Sequence, residues 1–227
     1  MRAAVVLLSG GLDSATCLAW ARNEGFATHA LTIAYGQRHG IEVERARQIG
    51  RRLQATSHRV VTLDLSFLEG SALTDPRVAV PKHRPDRAIA SGVPATYVPA
   101  RNAVFLSLAT AWAESLGSRD LVIGVNAIDY SGYPDCRPEF LAAFESLARV
   151  GTKAGVDGAD WRVHAPLADD SKGEIVRRAI ALRVPLELTV SCYDPGASGD
   201  ACGACDACRL RERGFREAGI DDPARRS

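Results

Sequence analysis

Two rhythms alternate along the chain. Ala3–Leu8, Ala27–Ala34, His58–Leu63, Leu121–Val125 and Trp161–Ala165 are short, largely apolar runs that read as strands. Between them lie Ala15–Asn23, Ile41–Leu53, Ala103–Leu116 and the region Glu139–Arg149, with helical spacing. In the second helix Val43, Ala46, Gly50 and Leu53 fall on one face, and in the fourth so do Phe140, Ala143, Phe144 and Leu147. Ala103–Leu116 carries a single charge, Glu114, so that helix is expected to be buried on most sides. Ser171, with Glu174 three residues on, predicts a capping box that opens a further helix. Strands without a polar face, alternating with helices, indicate an α/β fold with a parallel sheet covered on both sides. Two stretches break the rhythm. Asp75–Pro94 holds four prolines and the cluster Lys82-His83-Arg84 and reads as a long loop; the part after Ser191 is rich in glycine and cysteine. The expected division is therefore an α/β domain over 1–190 and a metal-organised tail over 191–227.

Composition narrows this picture mainly by exclusion. Formal charge is +1 over 227 residues, which argues against a bulk nucleic-acid binder. The apolar run Ala3–Leu8 is too short for a signal-peptide core, and no stretch approaches the roughly 18 apolar residues of a membrane span. A cytosolic protein with no membrane and no nucleic-acid partner is expected. Four of the six cysteines, Cys192, Cys202, Cys205 and Cys208, are clustered, which in a reducing compartment reads as metal binding rather than disulfide bridging. Cys17 lies in an apolar helical stretch and reads as a small buried hydrophobe.

The first strand runs into Ser9-Gly10-Gly11-Leu12-Asp13-Ser14 and then a helix. This places two glycines at the carboxyl end of a parallel strand, where backbone N–H groups and the helix N-terminus can cradle an anion. Ser9 and Ser14 can donate to phosphate oxygens; Asp13 either caps the helix or helps hold Mg²⁺. The ATPase loop, with a lysine after its last glycine, and the G-x-G-x-x-G fingerprint are both absent.

Other segments reach the same edge of the sheet. Tyr35-Gly36-Gln37-Arg38-His39 ends the second strand, and Arg38 there can face a phosphate. Tyr97-Val98-Pro99-Ala100-Arg101-Asn102 leads into the buried helix, with Asn102 as a natural N-cap and Arg101 toward the mouth. After the fourth strand, the loop Gly124–Pro138 is rich in aromatic, acidic and hydroxyl side chains and suits a flat polar heterocycle. Tyr130 or Tyr133 can stack on such a ring, Asp129 or Asp135 can accept from a guanidine-like N–H pair, and Arg137 can meet a carboxylate. Lys172, in the first turn of the Ser171 helix, is either a phosphate ligand or a surface lysine.

Cys202-x2-Cys205-x2-Cys208 gathers three thiols on one turn, and Cys192 completes four sulfurs with no histidine, the donor set of a closed structural zinc site, one Zn²⁺ per chain. Ferredoxin iron–sulfur runs continue with x3-C-P after the third cysteine; here Arg209-Leu210-Arg211 follows instead.

The Ser9–Ser14 loop resembles the S-G-G-x-D-S loop of the ATP-pyrophosphatase superfamily. Together with Y-G-Q-R-H, P-A-R-N, S-G-Y-P-D-C-R, Ser171-Lys172 and the cysteine tail, it resembles the 7-cyano-7-deazaguanine synthase (QueC) family over most of the chain. The resemblance implies a Rossmann-like fold of the adenine nucleotide alpha hydrolase type. It also implies nucleotide contacts over Leu8, Ser9, Gly10, Gly11, Leu12, Asp13, Ser14, Ala15, Thr16, Cys17 and Leu18. The implied activity joins 7-carboxy-7-deazaguanine and ammonia, using ATP with Mg²⁺, into the nitrile precursor of queuosine through an adenylated intermediate, in a homodimer. Asp75–Pro94 and the last dozen residues match no family pattern, which leaves a lid and dimer contacts open. A tRNA-modifying relative would want a basic RNA-binding module, and a zinc-ribbon binding module would not need an intact Ser9–Ser14 loop.

Overall fold

A computed structural model describes residues 2–36, 40–89, 92–126, 133–196 and 199–225. Among these, five strands form one parallel sheet in the order β3-β2-β1-β4-β5. They are β1 (Ala3–Leu7), β2 (Ala27–Ala34), β3 (Ser57–Thr62), β4 (Asp120–Val122) and β5 (Arg162–His164). The sequence places all five, with bounds within a few residues of those observed.

Helices α1 (Leu12–Asn23) and α2 (Ile41–Arg52) connect the first three strands. The chain then passes through a one-turn helix α3 (Asp86–Ile89) into α4 (Arg101–Ser115), which returns it to β4 on the other side of β1. Helices α5 (Pro138–Gly151) and α6 (Lys153–Val156) lead to β5, and α7 (Lys172–Ala181) and α8 (Asp206–Ala218) follow. The expected capping box is present: Ser171 Oγ accepts from the Glu174 N–H, and the Glu174 carboxylate accepts from the Ser171 N–H.

The period of two in β1 divides its side chains between two cores. Ala4 and Val6 pack with α1 and with Ile175 and Phe215 on one face, while Val5 and Leu7 pack with Leu106, Leu121 and Phe144 on the other. With both faces covered, the strands read as unbroken apolar runs. Because Phe215 of α8 belongs to the first core, the segment from 191 onward shares the apolar interior of the α/β part. The strand order reverses between β1 and β4, and a doubly wound sheet opens a crevice at that point, at the carboxyl ends of its strands.

Candidate functional site

The loop after β1 has a shape that its glycines permit. Gly10 sits at φ +89°, and a Cβ there would lie 2.5 Å from the Glu42 carbonyl oxygen. Ser14 Oγ donates to the Gly11 carbonyl at 3.1 Å and accepts from the Ser9 N–H at 3.1 Å; the two serine hydroxyls stand 3.0 Å apart. From the far end of the chain, the Val190 N–H donates to the Gly10 carbonyl at 3.0 Å. Just after β4, Gly124 approaches so closely that a Cβ would lie 3.1 Å from the Ser14 nitrogen. The loop is thus fixed by groups on three separate segments.

Two sequence expectations about helix starts are corrected. Gly11, not Asp13, is the N-cap of α1, and it offers no side chain for the purpose. The Asp13 carboxylate instead accepts from Lys172 Nζ at 2.9 and 3.1 Å, and Lys172 is only 4% exposed, so it is not a surface lysine. The N-cap of α4 is Ala100 in the left-handed region (φ +53°), not Asn102. A capping oxygen still arrives, but from elsewhere: Asp135 Oδ2 accepts from the Asn102 N–H at 3.0 Å, while Asn102 Nδ2 donates to the Asp135 carbonyl at 3.1 Å.

A cleft of about 260 Å³ opens above this loop. Its inner wall is apolar, with Leu31, Ile33, Leu73, Phe105 and Val125, and its polar groups come from both sides of the switch point. Arg101 Nη1 donates to the Tyr35 hydroxyl at 3.2 Å. Burial disfavours its charge, but the surrounding phenols of Tyr35, Tyr133 and Tyr193 outweigh this and hold the guanidinium pKa above its ordinary value. Burial raises the Tyr133 phenol, which pairs with Thr96 Oγ1 at 2.6 Å and meets the Tyr97 ring edge-on at 6.0 Å. Burial, helped by neighbouring Asp135, pushes the Cys136 thiol up to about 12, which makes it a poor nucleophile near neutral pH. Asn126 Nδ2 donates to the Leu167 and Asp170 carbonyls at 2.9 and 2.5 Å, fixing the turn that delivers Lys172.

Of the residues singled out in the sequence, Leu8, Ser9, Gly11, Leu12, Asp13, Ser14, Arg101, Asn102, Tyr133, Lys172 and the cluster cysteine Cys192 line this cleft. Gly10 shapes the loop from behind. Ala15, Thr16, Cys17 and Leu18 are buried within α1 and do not line it; Thr16 Oγ1 donates to the Leu12 carbonyl at 2.8 Å, and Cys17 is raised well above an ordinary thiol by burial. Asp135 lies behind the wall, and Arg137 is solvent-exposed before α5. Arg38, Asp129 and Tyr130 lie outside the described residues. Glu42, Asn126 and Arg211 line the cleft without having been singled out as candidates. For Arg211 a signal existed: it follows Cys208 by three residues, which in a helix places both on one face.

The four cysteine sulfurs converge, all within 4.8 Å of one another. A tetrahedral site with Zn–S near 2.3 Å has sulfur–sulfur edges of roughly 3.8 Å, so the donor set fits such an ion after small side-chain adjustment. The backbone is already turned toward the sulfurs. The Cys202 N–H donates to Cys192 Sγ at 3.2 Å, and the Cys205 N–H to Cys202 Sγ at 3.4 Å. Hydrogen bonds from Cys192 and Cys208 hold the Cys205 thiol below the usual thiol range, while its hydrogen bond to Cys205 raises Cys192. Four thiols this close cannot all ionise together unless a cation joins them.

The Asp75–Pro94 loop packs onto this turn. Lys82 forms an antiparallel bridge with Cys205, the His83 N–H donates to the Ala204 carbonyl at 2.9 Å, and Arg84 pairs with Asp206 at 2.7 Å. Val80 and Ala72 complete a small apolar cluster with the cysteines.

Comparison with known proteins places this architecture. The family model described as "Queuosine biosynthesis protein QueC" matches residues 3–219. A protein of Methylococcus capsulatus is 58% identical over 99% of this chain and 99% of its own length. One of Anaeromyxobacter sp. is 62% identical over 97% and 94%. Both are named 7-cyano-7-deazaguanine synthase. Among solved structures, a 4-thiouridine synthetase in complex with RNA and bound ATP aligns at TM-score 0.53 and 22% identity, over 96% of this chain and 50% of that one. The NMN synthetase of Francisella tularensis aligns at 0.50 and 17%, over 97% and 78%. At these identities the two structures establish the fold alone.

Proposed function

The chain belongs to the queuosine biosynthesis protein QueC family, and we propose that it is an ATP-dependent carbon–nitrogen ligase that converts 7-carboxy-7-deazaguanine and ammonia into 7-cyano-7-deazaguanine. The observation that carries this reading is one cleft with two chemistries. The Ser9–Ser14 loop and Lys172 stand on one side, and Arg101 with its tyrosines stands over an apolar wall on the other.

In this reading the loop N–H groups, the two serine hydroxyls and Lys172 hold the ATP phosphates, with Lys172 transferring from Asp13 to a phosphate oxygen. The deazaguanine ring lies against the apolar wall beside Tyr133. Its carboxylate oxygen attacks the α-phosphorus and displaces pyrophosphate; ammonia then attacks the acyl adenylate and releases AMP, giving the amide. A second ATP activates the amide oxygen in the same way. Loss of the remaining N–H protons and AMP leaves the nitrile, so two ATP become two AMP and two pyrophosphates. The protein's contribution is positioning and the neutralisation of charge that develops at phosphorus.

On this reading Asp13, once released by Lys172, would hold the Mg²⁺ that accompanies ATP. Cys192, Cys202, Cys205 and Cys208 would hold a structural Zn²⁺, which supplies folding energy to the turn and has no open position for chemistry. The reading also expects a cytoplasmic homodimer; among the described residues, no helix is long and apolar enough to cross a membrane.

The test is incubation with ATP, ammonium and 7-carboxy-7-deazaguanine, followed by mass spectrometry. AMP and nitrile should appear together, and each should depend on the acid. ATP turnover that proceeds equally well without the acid would refute the substrate.

A further inference from the structure

We propose that Arg211 is a positioning residue of the phosphate loop, holding the main chain at Val190 in the place where it fixes Gly10. The proposal deepens the ATP reading above and rests on it.

Arg211 is on α8, one helical turn beyond the sulfur ligand Cys208, and its side chain is 8% exposed. Its fork is fully engaged. Nε and Nη2 donate to the two carboxylate oxygens of Asp222 at 2.6 and 2.8 Å, and Asp222 is itself 4% exposed. Nη1 donates to Thr189 Oγ1 at 2.8 Å and Ser191 Oγ at 3.3 Å, and the guanidinium lies 5.0 Å from the centre of the Phe215 ring.

Thr189 and Ser191 flank the residue that matters to the loop. The Val190 N–H donates to the Gly10 carbonyl at 3.0 Å, and a Cβ on Gly11 would meet the Val190 carbonyl oxygen at 3.4 Å. Val190 is thus packed along both glycines of the loop, and Arg211 grips the hydroxyls on either side of it. Asp222 neutralises the guanidinium, so Arg211 brings geometry to the cleft rather than a free positive charge. That separates it from Lys172 and Arg101. A lysine at 211 would keep the charge, but its compact ammonium cannot span Asp222, Thr189 and Ser191 in a fixed plane.

Arg211→Lys and Asp222→Asn test this in the full-length, zinc-loaded protein. KM is measured separately for ATP and for 7-carboxy-7-deazaguanine, and ATP binding without the acid is followed by calorimetry. Each variant should raise KM and Kd for ATP by about 10-fold, the scale of losing one charge-assisted hydrogen bond. KM for the acid should stay within about 2-fold, and zinc content should be unchanged. Equal rises in both KM values would mean general loosening, and an unchanged KM for ATP would mean that Val190 needs no clamp; either overturns the proposal. If the parent protein binds no ATP by calorimetry, the ATP reading itself falls, which the same titration distinguishes.

Discussion

Gly214 gives the most direct perturbation of Lys172 that leaves its chemistry intact. Helices α7 and α8 pack closely at two glycines. A Cβ on Gly214 would stand 2.5 Å from Lys172 Cγ and 2.9 Å from the Lys172 carbonyl oxygen. Carbon–carbon contact is comfortable near 3.5–4.0 Å, so Gly214→Ala requires a shift of at least about 1 Å. Moving only the lysine stem does not suffice, because the carbonyl is backbone; α7 must move with it, and Nζ with α7, from its 2.9 Å contact with Asp13. A 1 Å misplacement in an active site can cost about 10²-fold in rate, so kcat should fall by that order. Two opposing terms set the stability. Glycine to alanine inside a helix gains about 1 kcal/mol, and overpacking costs about 1–3 kcal/mol, so the variant should be neutral to about 2 kcal/mol less stable. Steady-state AMP formation and urea unfolding measure the two effects, and zinc analysis checks that the cysteine turn is intact. Gly151→Ala is the control, since a Cβ there meets nothing within 4 Å and activity should not change. A Gly214→Ala protein that is more stable and fully active would refute the reasoning, because it would mean that Lys172 tolerates displacement or does not matter.

Ser14→Ala and Lys172→Ala should each leave a folded protein with kcat lowered by on the order of 10²-fold, the scale of one lost transition-state donor; full activity in Lys172→Ala would remove it from the chemistry. Cys205→Ser should lose one equivalent of zinc per chain and expose both the 191–205 turn and the 75–94 loop to protease, since Lys82 bridges directly to Cys205, while far-ultraviolet circular dichroism of the α/β part persists. Purified protein should be colourless; iron with absorbance near 400 nm would overturn the zinc assignment. His58 sets a pH dependence. Burial first, then Arg47 and Arg51, lower its pKa, so the unfolded chain takes up a proton before the folded one. Stability in urea should therefore be level above about pH 7 and fall as pH drops below the ordinary histidine pKa of about 6.5. His29 is lowered in the same direction by burial, so the slope should shrink, not vanish, in His58→Gln.

How much of this was legible beforehand depended on range. The strands announced themselves because both faces of a parallel sheet are buried, so Val5-Val6-Leu7 needs no polar alternation to be recognised. The loop after β1 was legible because glycines and serines act within six residues of one another. Contacts that cross the chain were not. Asn102 looks like a cap, but no local pattern reveals that Asp135, 33 residues on, supplies the oxygen instead. Asp13 looks like a cap too, and its partner Lys172 lies 159 residues away. The loop of four prolines carries no periodicity because it is ordered by what it rests on, the cysteine turn. Glu42 enters the cleft only because Gly10 lets α2 approach.

The distance along the chain between Asp13 and Lys172 has a consequence for biosynthesis. The glycines of the loop are made first, yet the lysine that pairs with Asp13 is synthesised 159 residues later, and Val190 later still. At about 5–20 residues per second, roughly 8–30 s separate the two halves of the ion pair. A ribosome-bound chain that has completed only the first three strands carries the loop without the partners that fix it. On the proposed reading, nucleotide capture is thus deferred until Lys172 and Val190 have been made, and a fragment stalled before them lacks the contacts that fix the loop.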